Sequence, residues 1–195
     1  TLNPSSAASD VYKRQIIVAL LITFVVTFIG IASIKDILII LKSNNQIISY
    51  ATDYMNVIFS GSIVIFLLVT INASLVSRGD TKSYRNVLIF SFFLNILLNP
   101  LFIYGFYLIP AMGISGIALA TIVSELIGLI YLIYKINKTE IREYLSPECF
   151  KPKIDLISDI LKQAIPSGLS MGMVGFGVFI LIYLVSSYGD FSAGG

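Results

Sequence analysis

The sequence contains no histidine, no tryptophan and a single cysteine, Cys149. A disulfide within the chain is therefore impossible, and a metal site built from cysteine and histidine is excluded. Charged residues are also scarce, at 12% of the 195 positions, whereas hydrophobic residues make up 56%. This composition excludes a water-soluble globule and predicts an integral membrane protein. We expect no metal centre, no cofactor and no nucleic-acid partner.

A long segment from Asn86 to Ser124 contains no charged side chain at all. It is nearly twice as long as the ~20 apolar residues that one helix needs to cross a hydrocarbon core of about 30 Å. Pro110, Gly113 and Gly116 interrupt it, and proline and glycine favour a chain reversal over a continuous helix. The segment therefore predicts two membrane-spanning helices, 86–107 and 113–134, joined by a short turn at 108–114.

Five membrane spans are predicted in total, which gives an all-α integral membrane protein. The first covers 15–34 and could continue through the apolar residues that follow Lys35 and Asp36. The fifth begins with Pro166 in its first turn, where a missing N–H has no partner to lose. The predicted spans are 15–34, 54–77, 86–107, 113–134 and 163–189.

Two polar segments lie outside these spans, one before the first span and one between the fourth and the fifth. Residues 1–14 are small, polar and aperiodic, and we interpret them as a non-native or disordered leader. Residues 139–162 form the most polar part of the chain, and their later half has its isoleucines on one helical face. We expect this half to be an amphipathic helix on the membrane surface, with a solvated linker as the alternative.

Basic residues are unevenly distributed between the two sides of the predicted bundle. Leaving aside Lys13 and Arg14, nine lie on one side and two on the other, and the side rich in Lys and Arg is cytoplasmic in multi-pass proteins of the cell membrane. The first span then starts in the cytoplasm, and the chain ends outside. The nine are Arg78, Lys82, Arg85, Lys135, Lys138, Arg142, Lys151, Lys153 and Lys162, and the two are Lys35 and Lys42.

Four polar residues lie inside the central pair of spans: Asn95 and Asn99 on one helix, and Thr121 and Glu125 on the next. Each pair is spaced i, i+4, so its two side chains share a helical face. Polar groups in hydrocarbon are costly unless they meet partners, water or ions, and Glu125 is the only carboxylate within the predicted spans. We therefore predict that the four residues face one another as a cation or proton site.

Asn99 and Glu125 also have structural interpretations. Asn99 precedes Pro100 and could bond backbone groups that the proline leaves free. Glu125 could bond a neighbouring helix or reach the cytoplasmic interface. Small residues spaced by four, namely Gly116, Ala120 and Ser124, and likewise Gly168 and Gly172, are more typical of close helix packing than of substrate contact.

Three segments resemble, in order and spacing, the multidrug and toxic compound extrusion (MATE) family. They are RGDTK at 78–82, FLNILLNPLFIYG at 93–105 and PAMGISGIALAT at 110–121. The resemblance implies a twelve-helix fold in two six-helix lobes, of which the five spans are helices three to seven. The chain would then be a fragment, with residues 15–138 from the first lobe, 139–162 as the linker between lobes and 163–195 as the truncated first helix of the second lobe.

The resemblance also implies a cation site. Asn95 and Thr121 match ligands of the first-lobe site of the family, whereas Asn99 stands where an aspartate is expected. An amide supplies a carbonyl oxygen but no titratable proton. Val174 stands where a second subgroup has a glutamate, so a site of that type is expected to be absent.

Three classes of function are considered for this sequence: an antiporter, a flippase and an enzyme. The resemblance favours a cation-coupled antiporter, driven by sodium or protons, that exports drugs or amphipathic, often cationic, metabolites. Its partners would be the bilayer, the substrate and the remaining helices of the full-length protein. The alternative is a flippase for lipid-linked saccharide or peptidoglycan precursors, for which a strongly basic cavity is expected. An enzyme would need a nucleophile with a base, or paired carboxylates, within the spans. The chain has no histidine and the predicted spans hold one carboxylate, so we do not expect an enzyme.

Overall fold

The computed structural model of the protein describes residues 4–41, 44–138 and 154–186. Four helices in these ranges contain a segment long and apolar enough to cross a membrane, and a bent pair of helices supplies a fifth crossing. The predicted all-α membrane fold with about five spans is therefore confirmed. The helices are α1 (Pro4–Ile40), α2 (Asn45–Ser60), α3 (Ser62–Val76), α4 (Lys82–Tyr104), α5 (Ile114–Asn137) and α6 (Ile154–Ser186).

Helix α1 extends beyond the predicted first span at both ends. It begins at Pro4, so most of residues 1–14 are helical, and whether they are native sequence stays untested. Its apolar span runs from Ile16 to Ile40 and so includes Lys35 and Asp36, which are exposed. A polar pair near the end of a span is tolerated because such side chains can extend toward the interface.

Helices α2 and α3 are inclined to each other by 48° at the break at Gly61, and together they are long and apolar enough to form one bent crossing. The prediction of a single span starting at residue 54 is wrong at its start, because α2 begins at Asn45 with the Asn44 side chain accepting a hydrogen bond from the Ile47 N–H at 2.8 Å. Gly61 has no room for a side chain, since a Cβ there would lie 2.5 Å from the Ile122 side chain of α5.

The turn between α3 and α4 follows from the Arg-Gly-Asp sequence. Gly79 has φ +86°, and its N–H donates to the Val76 carbonyl while the Asp80 N–H donates to the Leu75 carbonyl, as in a Schellman motif. The Asp80 carboxylate then accepts hydrogen bonds from the Ser83 hydroxyl at 2.6 Å and the Ser83 N–H at 3.0 Å. These bonds hold the pKa of Asp80 below its ordinary value.

The hairpin between α4 and α5 turns earlier than predicted. Helix α4 continues through Pro100 but ends at Tyr104, where Gly105 adopts φ +76°. The N–H groups of Met112 and Gly113 then donate to carbonyls of the last turn of α4, so the turn itself satisfies the end of the helix. The predicted third span, 86–107, was therefore three residues too long at this end.

Helix α5 is the centre of the bundle and packs against α2, α3 and α4, while α1 packs against α2 and α3. Close approach to α4 depends on Gly116, because a Cβ there would lie 2.6 Å from the backbone of Phe102. The packing role predicted for Gly116 is thus confirmed. The buried apolar core consists of Leu68, Ile71, Leu75, Val87, Leu129, Leu132 and Ile136.

Helix α6 is continuous from Ile154 to Ser186 and packs mainly against α1. Pro166 lies inside this helix rather than in its first turn, which corrects the predicted entry of the fifth span. An interior proline removes one hydrogen-bond donor but need not end a membrane helix.

Residues 139–153, which hold most of the predicted linker, lie outside the described ranges. A Cβ at Gly168 or Gly172 would meet open space, because apart from their own helix no described residue lies within 4 Å of it.

Candidate functional site

Three of the four predicted site residues form a hydrogen-bonded chain between α4 and α5. The Asn99 amide Nδ2 donates to Asn95 Oδ1 at 2.7 Å, and the Asn95 Nδ2 donates to Thr121 Oγ1 at 3.3 Å. The Thr121 hydroxyl donates in turn to the Ile117 carbonyl of its own helix at 3.2 Å. The i, i+4 spacing on α4 therefore places both asparagines on the face that meets α5.

The chain of amides ends in an unsatisfied oxygen. Asn99 Oδ1 is buried and has no hydrogen-bond partner among the described residues. An unsatisfied buried carbonyl costs about 1–3 kcal/mol, so such groups usually bind a partner, a water molecule or an ion. Pro100 follows Asn99 directly, yet the Asn99 side chain donates to the Asn95 side chain rather than bonding to the backbone.

Glu125 stands apart from these three residues. It is half-buried and lies one helical turn beyond Thr121 on α5, about 6 Å along the helix axis. In the described ranges, no hydrogen bond or ion pair joins its carboxylate to Asn95, Asn99 or Thr121. The structure therefore brings three of the predicted residues together, whereas Glu125 shares only the helix of Thr121 and roughly the same helical face.

Glu125 is also not the only carboxylate within the spans, which corrects the prediction. Because α1 and α2 are longer than expected, Asp36 and Asp53 also lie in spanning helices. Both are exposed, in contrast to the half-buried Glu125. Glu125 remains the carboxylate of these three that is withdrawn from the surface.

Two serines extend this polar interface toward the Lys82 end of α4 and the Asn137 end of α5. The Ser91 hydroxyl donates to the Ser124 carbonyl across the interface at 3.3 Å, and the Ser124 hydroxyl donates to the Ala120 carbonyl at 2.8 Å. Both serines are buried. Sequence reasoning gave Ser124 only a packing role and missed Ser91, although Ser91 precedes Asn95 by four residues and so continues its stripe.

Three buried polar groups on α2 and α3 were not predicted from the sequence. Thr52 Oγ1, Asn56 Oδ1 and Asn72 Oδ1 have no partner among the described residues. Thr52 and Asn56 are spaced i, i+4, which was the available signal. Thr52 was missed because residues 45–53 were not expected to belong to a span, whereas Asn56 and Asn72 lay within the predicted span 54–77 and were not singled out.

A further polar contact fixes the bend between α2 and α3. The Thr27 hydroxyl of α1 lies 3.0 Å from the Phe59 carbonyl, to which it donates, and 2.6 Å from the Ser62 hydroxyl. The carbonyl of Phe59 would otherwise accept a bond from the helix residue four positions later, so Thr27 stabilises the interruption. The bent crossing is therefore held from the neighbouring helix.

No group of three or more Cys, Asp or Glu side chains in the described part of the chain could hold a metal ion. Val174, at the position where a glutamate would form a second type of site, is exposed on α6. The oxygen donors available within the bundle are thus amides, hydroxyls and the single half-buried carboxylate of Glu125.

Comparison with known proteins gives a consistent picture. The MatE family model matches residues 3–101, which are 99 of the 195 residues. The probable multidrug resistance protein YpnP of Bacillus subtilis (strain 168) is 33% identical over 151 residues, which cover 77% of this chain and 33% of YpnP. The probable multidrug resistance protein NorM of Thermotoga maritima is 32% identical over 169 residues, which cover 82% of this chain and 36% of NorM.

Relatives with other names and a solved structure are also similar. An FAD transporter of Shewanella oneidensis is 32% identical over 115 residues, which cover 57% of this chain and 25% of that protein. A multidrug resistance MATE family transporter of the MOP superfamily, solved in an inward-facing conformation, matches with a TM-score of 0.74 and 23% identity. The match covers 92% of this chain and 39% of that structure. The chain spans about a third of the length of YpnP and NorM.

Proposed function

The chain belongs to the MATE family of multi-pass membrane proteins, and we propose that the full-length protein is a cation-coupled antiporter that exports drugs or amphipathic metabolites. In this proposal α1 to α5 are helices three to six of the first lobe, with α2 and α3 as one bent helix, and α6 opens the second lobe. The named relatives are transporters rather than enzymes.

The observation that supports coupling is the buried oxygen of Asn99. A cation in the bundle would supply the partner that Asn99 Oδ1 lacks, and Thr121 Oγ1 lies at the other end of the same hydrogen-bonded chain. Oxygen ligands of this kind, carbonyl and hydroxyl, suit a hard cation such as sodium. The site residues proposed for cation or proton binding are Asn95, Asn99, Thr121 and Glu125.

Neutral ligands alone cannot compensate the charge of a bound cation in a medium of low dielectric constant. Glu125, one turn from Thr121, is the nearest carboxylate on α5, and a helix of the first lobe beyond this chain could supply another. If the coupling ion is a proton, Glu125 is its carrier on this chain, since Asn95, Asn99 and Thr121 do not titrate. The amides would then orient the carboxylate through water.

Coupling follows if ion binding changes the packing of α4 on α5. An ion that satisfies Asn99 Oδ1 stabilises the closed interface, and its release leaves a polar group that favours entry of water from one side. Alternating access needs such a difference between two states of the lobe. The bent crossing of α2 and α3, held by Thr27, packs directly on α5 and would move with it.

The proposed substrate is a small amphipathic molecule. Relatives named for multidrug resistance and for FAD transport suggest that the family handles both foreign compounds and metabolites. A flippase for lipid-linked saccharides would need a basic cavity to bind its diphosphate. Because no Lys or Arg occurs between Asn86 and Tyr134 or between Asn45 and Ser77, the described helices favour the antiporter.

A transport assay with the full-length protein tests the proposal. Purified protein is reconstituted in liposomes, and efflux of an organic cation such as ethidium is followed under an imposed sodium or proton gradient. We expect one of the two gradients to drive efflux and its collapse by an ionophore to stop it. An efflux rate that does not change with either gradient would contradict the proposal. Movement of a lipid-linked saccharide instead of the dye would also contradict it.

A further inference from the structure

A pocket of about 310 Å³ lies between α4 and α5 at the end of the helices where the basic residues cluster. Val87 and Gly128 form its floor. A Cβ at Gly128 would lie 2.5 Å from the Val87 side chain, so the absence of a side chain at Gly128 gives the pocket its depth. Phe90 and Ile127 are exposed and form the walls. The lining is apolar almost throughout and consists of Asn86, Val87, Phe90, Ile127, Gly128 and Tyr131.

Two cations flank this pocket, one from each helix. The Arg85 guanidinium donates from Nη2 to Asn86 Oδ1 at 3.3 Å, and the Lys135 ammonium lies 5.7 Å from the centre of the Tyr131 ring. Asn86 and Tyr131 both line the pocket, so the two charges stand beside its mouth. The site is therefore amphipathic, since an apolar slot has cationic side chains at one end.

The charge around the mouth stays positive when its neighbours are included. Lys82 starts α4, and Lys138 lies 4.5 Å from the Tyr134 ring at the end of α5. Besides the hydrogen bonds from Ser83, the positive charge of Lys135 contributes to the lowered pKa of the Asp80 carboxyl. Among the described residues, four basic side chains, those of Lys82, Arg85, Lys135 and Lys138, therefore lie near the acidic Asp80 at this end of the two helices.

The pocket is separate from the polar chain of the proposed cation site. None of Asn95, Asn99, Thr121 and Glu125 lines it. Its volume is at the lower end of the range of about 300–1,000 Å³ that small-molecule sites occupy, and it offers few polar groups to orient a drug. An acyl chain needs neither a large volume nor polar contacts.

We propose that this pocket binds an anionic phospholipid of the cytoplasmic leaflet, with an acyl chain in the slot and the phosphate beside Arg85 and Lys135. The basic residues predict that this end of α4 and α5 is cytoplasmic, and anionic lipids attract basic side chains at that surface. Because Arg85 and Lys135 stand at the mouth, we expect the pocket to open at the level where the headgroup meets the hydrocarbon, so one lipid can satisfy both parts. The proposal does not depend on what the protein transports.

Tryptophan fluorescence with brominated lipids tests this, because the chain has no tryptophan of its own. Phe90→Trp is introduced into full-length protein from which any other tryptophan has been replaced by phenylalanine. The protein is reconstituted in mixtures of phosphatidylcholine with dibrominated phosphatidylglycerol, and in the reverse labelling. Ile89→Trp is the control, since Ile89 is the exposed neighbour at the same depth but does not line the pocket.

We expect dibrominated phosphatidylglycerol to quench Phe90→Trp with an apparent binding constant at least threefold above that of dibrominated phosphatidylcholine. At Ile89→Trp the two constants should be equal. Arg85→Gln with Lys135→Gln should remove the threefold preference at Phe90→Trp, since each basic side chain contributes to the attraction of anionic lipid, while quenching at Ile89→Trp in the same variant shows that the protein is still inserted.

Two results would overturn the proposal. Equal constants for the two lipids at Phe90→Trp would make the pocket ordinary lipid-facing surface. No quenching by either lipid at Phe90→Trp, with normal quenching at Ile89→Trp, would show that another segment of the full-length protein fills the pocket.

Discussion

Asn95 on α4 donates a hydrogen bond to Thr121 on α5, with 3.3 Å between Nδ2 and Oγ1. The two residues are 26 positions apart and meet because the hairpin between Tyr104 and Ile114 returns α5 alongside α4 at the depth of Asn95. The close approach of Gly116 to the Phe102 backbone brings the helices near enough for short side chains to reach each other. We expect this bond to support ion binding more than stability.

Thr121→Val keeps the shape of the side chain but removes the hydroxyl. The free energy of unfolding should fall by only about 0.6 kcal/mol, the average value of an interhelical hydrogen bond in a membrane. Gradient-driven efflux by the full-length protein should fall roughly tenfold if the hydroxyl supports ion binding, since about 1.4 kcal/mol of lost binding is tenfold. Thr70→Val is the control, because the Thr70 hydroxyl bonds only the Phe66 carbonyl of its own helix. Equal efflux in both variants would leave the Asn95–Thr121 bond a packing contact.

Asn99→Asp should strengthen sodium binding, by roughly tenfold or more. The substitution places a carboxylate where the unpartnered Asn99 Oδ1 now lies, and charge-assisted ligands are about twice as strong as neutral ones. Sodium affinity is measured by radiotracer binding to the purified full-length protein. Asn72→Asp gives the comparison, because Asn72 Oδ1 is also buried and unpartnered among the described residues but lies on α3. A similar gain in both variants would show a general effect of added charge rather than a site at Asn99.

The distribution of basic residues predicts that the α3–α4 turn is cytoplasmic and the α4–α5 turn external. In a Cys149→Ala background, single cysteines replace Lys82 and Ala111, which are both exposed. An impermeant thiol reagent on intact cells should label the cysteine at Ala111 and reach the one at Lys82 only after the cells are permeabilised. The reverse pattern would invert the assignment.

Asp80 should stabilise the protein at neutral pH and lose this effect in acid. Its folded pKa is below the ordinary value of 3.8, because the Ser83 hydroxyl and N–H bond the carboxylate. The contribution is therefore complete above that value and disappears as the pH falls through the lower folded pKa.

Asp80→Ala should accordingly reduce the free energy of unfolding by about 1 kcal/mol at pH 7, as for a lost helix cap, and by less at pH 3. Thermal unfolding in detergent measures both. Ser83→Ala retains the N–H partner and should have a smaller effect. A deficit for Asp80→Ala that is constant with pH would mean that the ionised carboxylate is not the capping group.

The spans and part of the site could be predicted because they depend on local properties. Hydrophobic length gives the number of helices, and i, i+4 spacing places Asn95 and Asn99 on one face whatever their neighbours are. A short hairpin then makes α4 and α5 adjacent. The meeting of both asparagines with Thr121 follows from these three facts.

Other features depend on packing between distant segments. The rotation of α5 about its axis is set by Gly116 against Phe102, so the sequence could not tell that Glu125 stands apart from Asn99. The bend at Gly61 depends on Thr27 from α1 and on Ile122 from α5. Helix α6 continues through Pro166, although proline in an apolar pattern suggests a helix start.

The most direct test of the central claim, that cation movement is coupled at this polar face, is the gradient dependence of efflux by Glu125→Gln in proteoliposomes. Glutamine retains the shape and hydrogen bonding of the side chain but cannot titrate or supply charge. We predict that the full-length Glu125→Gln protein folds and still binds the organic cation, while the proton or sodium gradient no longer accelerates its efflux. Efflux equal to that of the unsubstituted protein at every gradient and pH would contradict the account and place coupling on other helices.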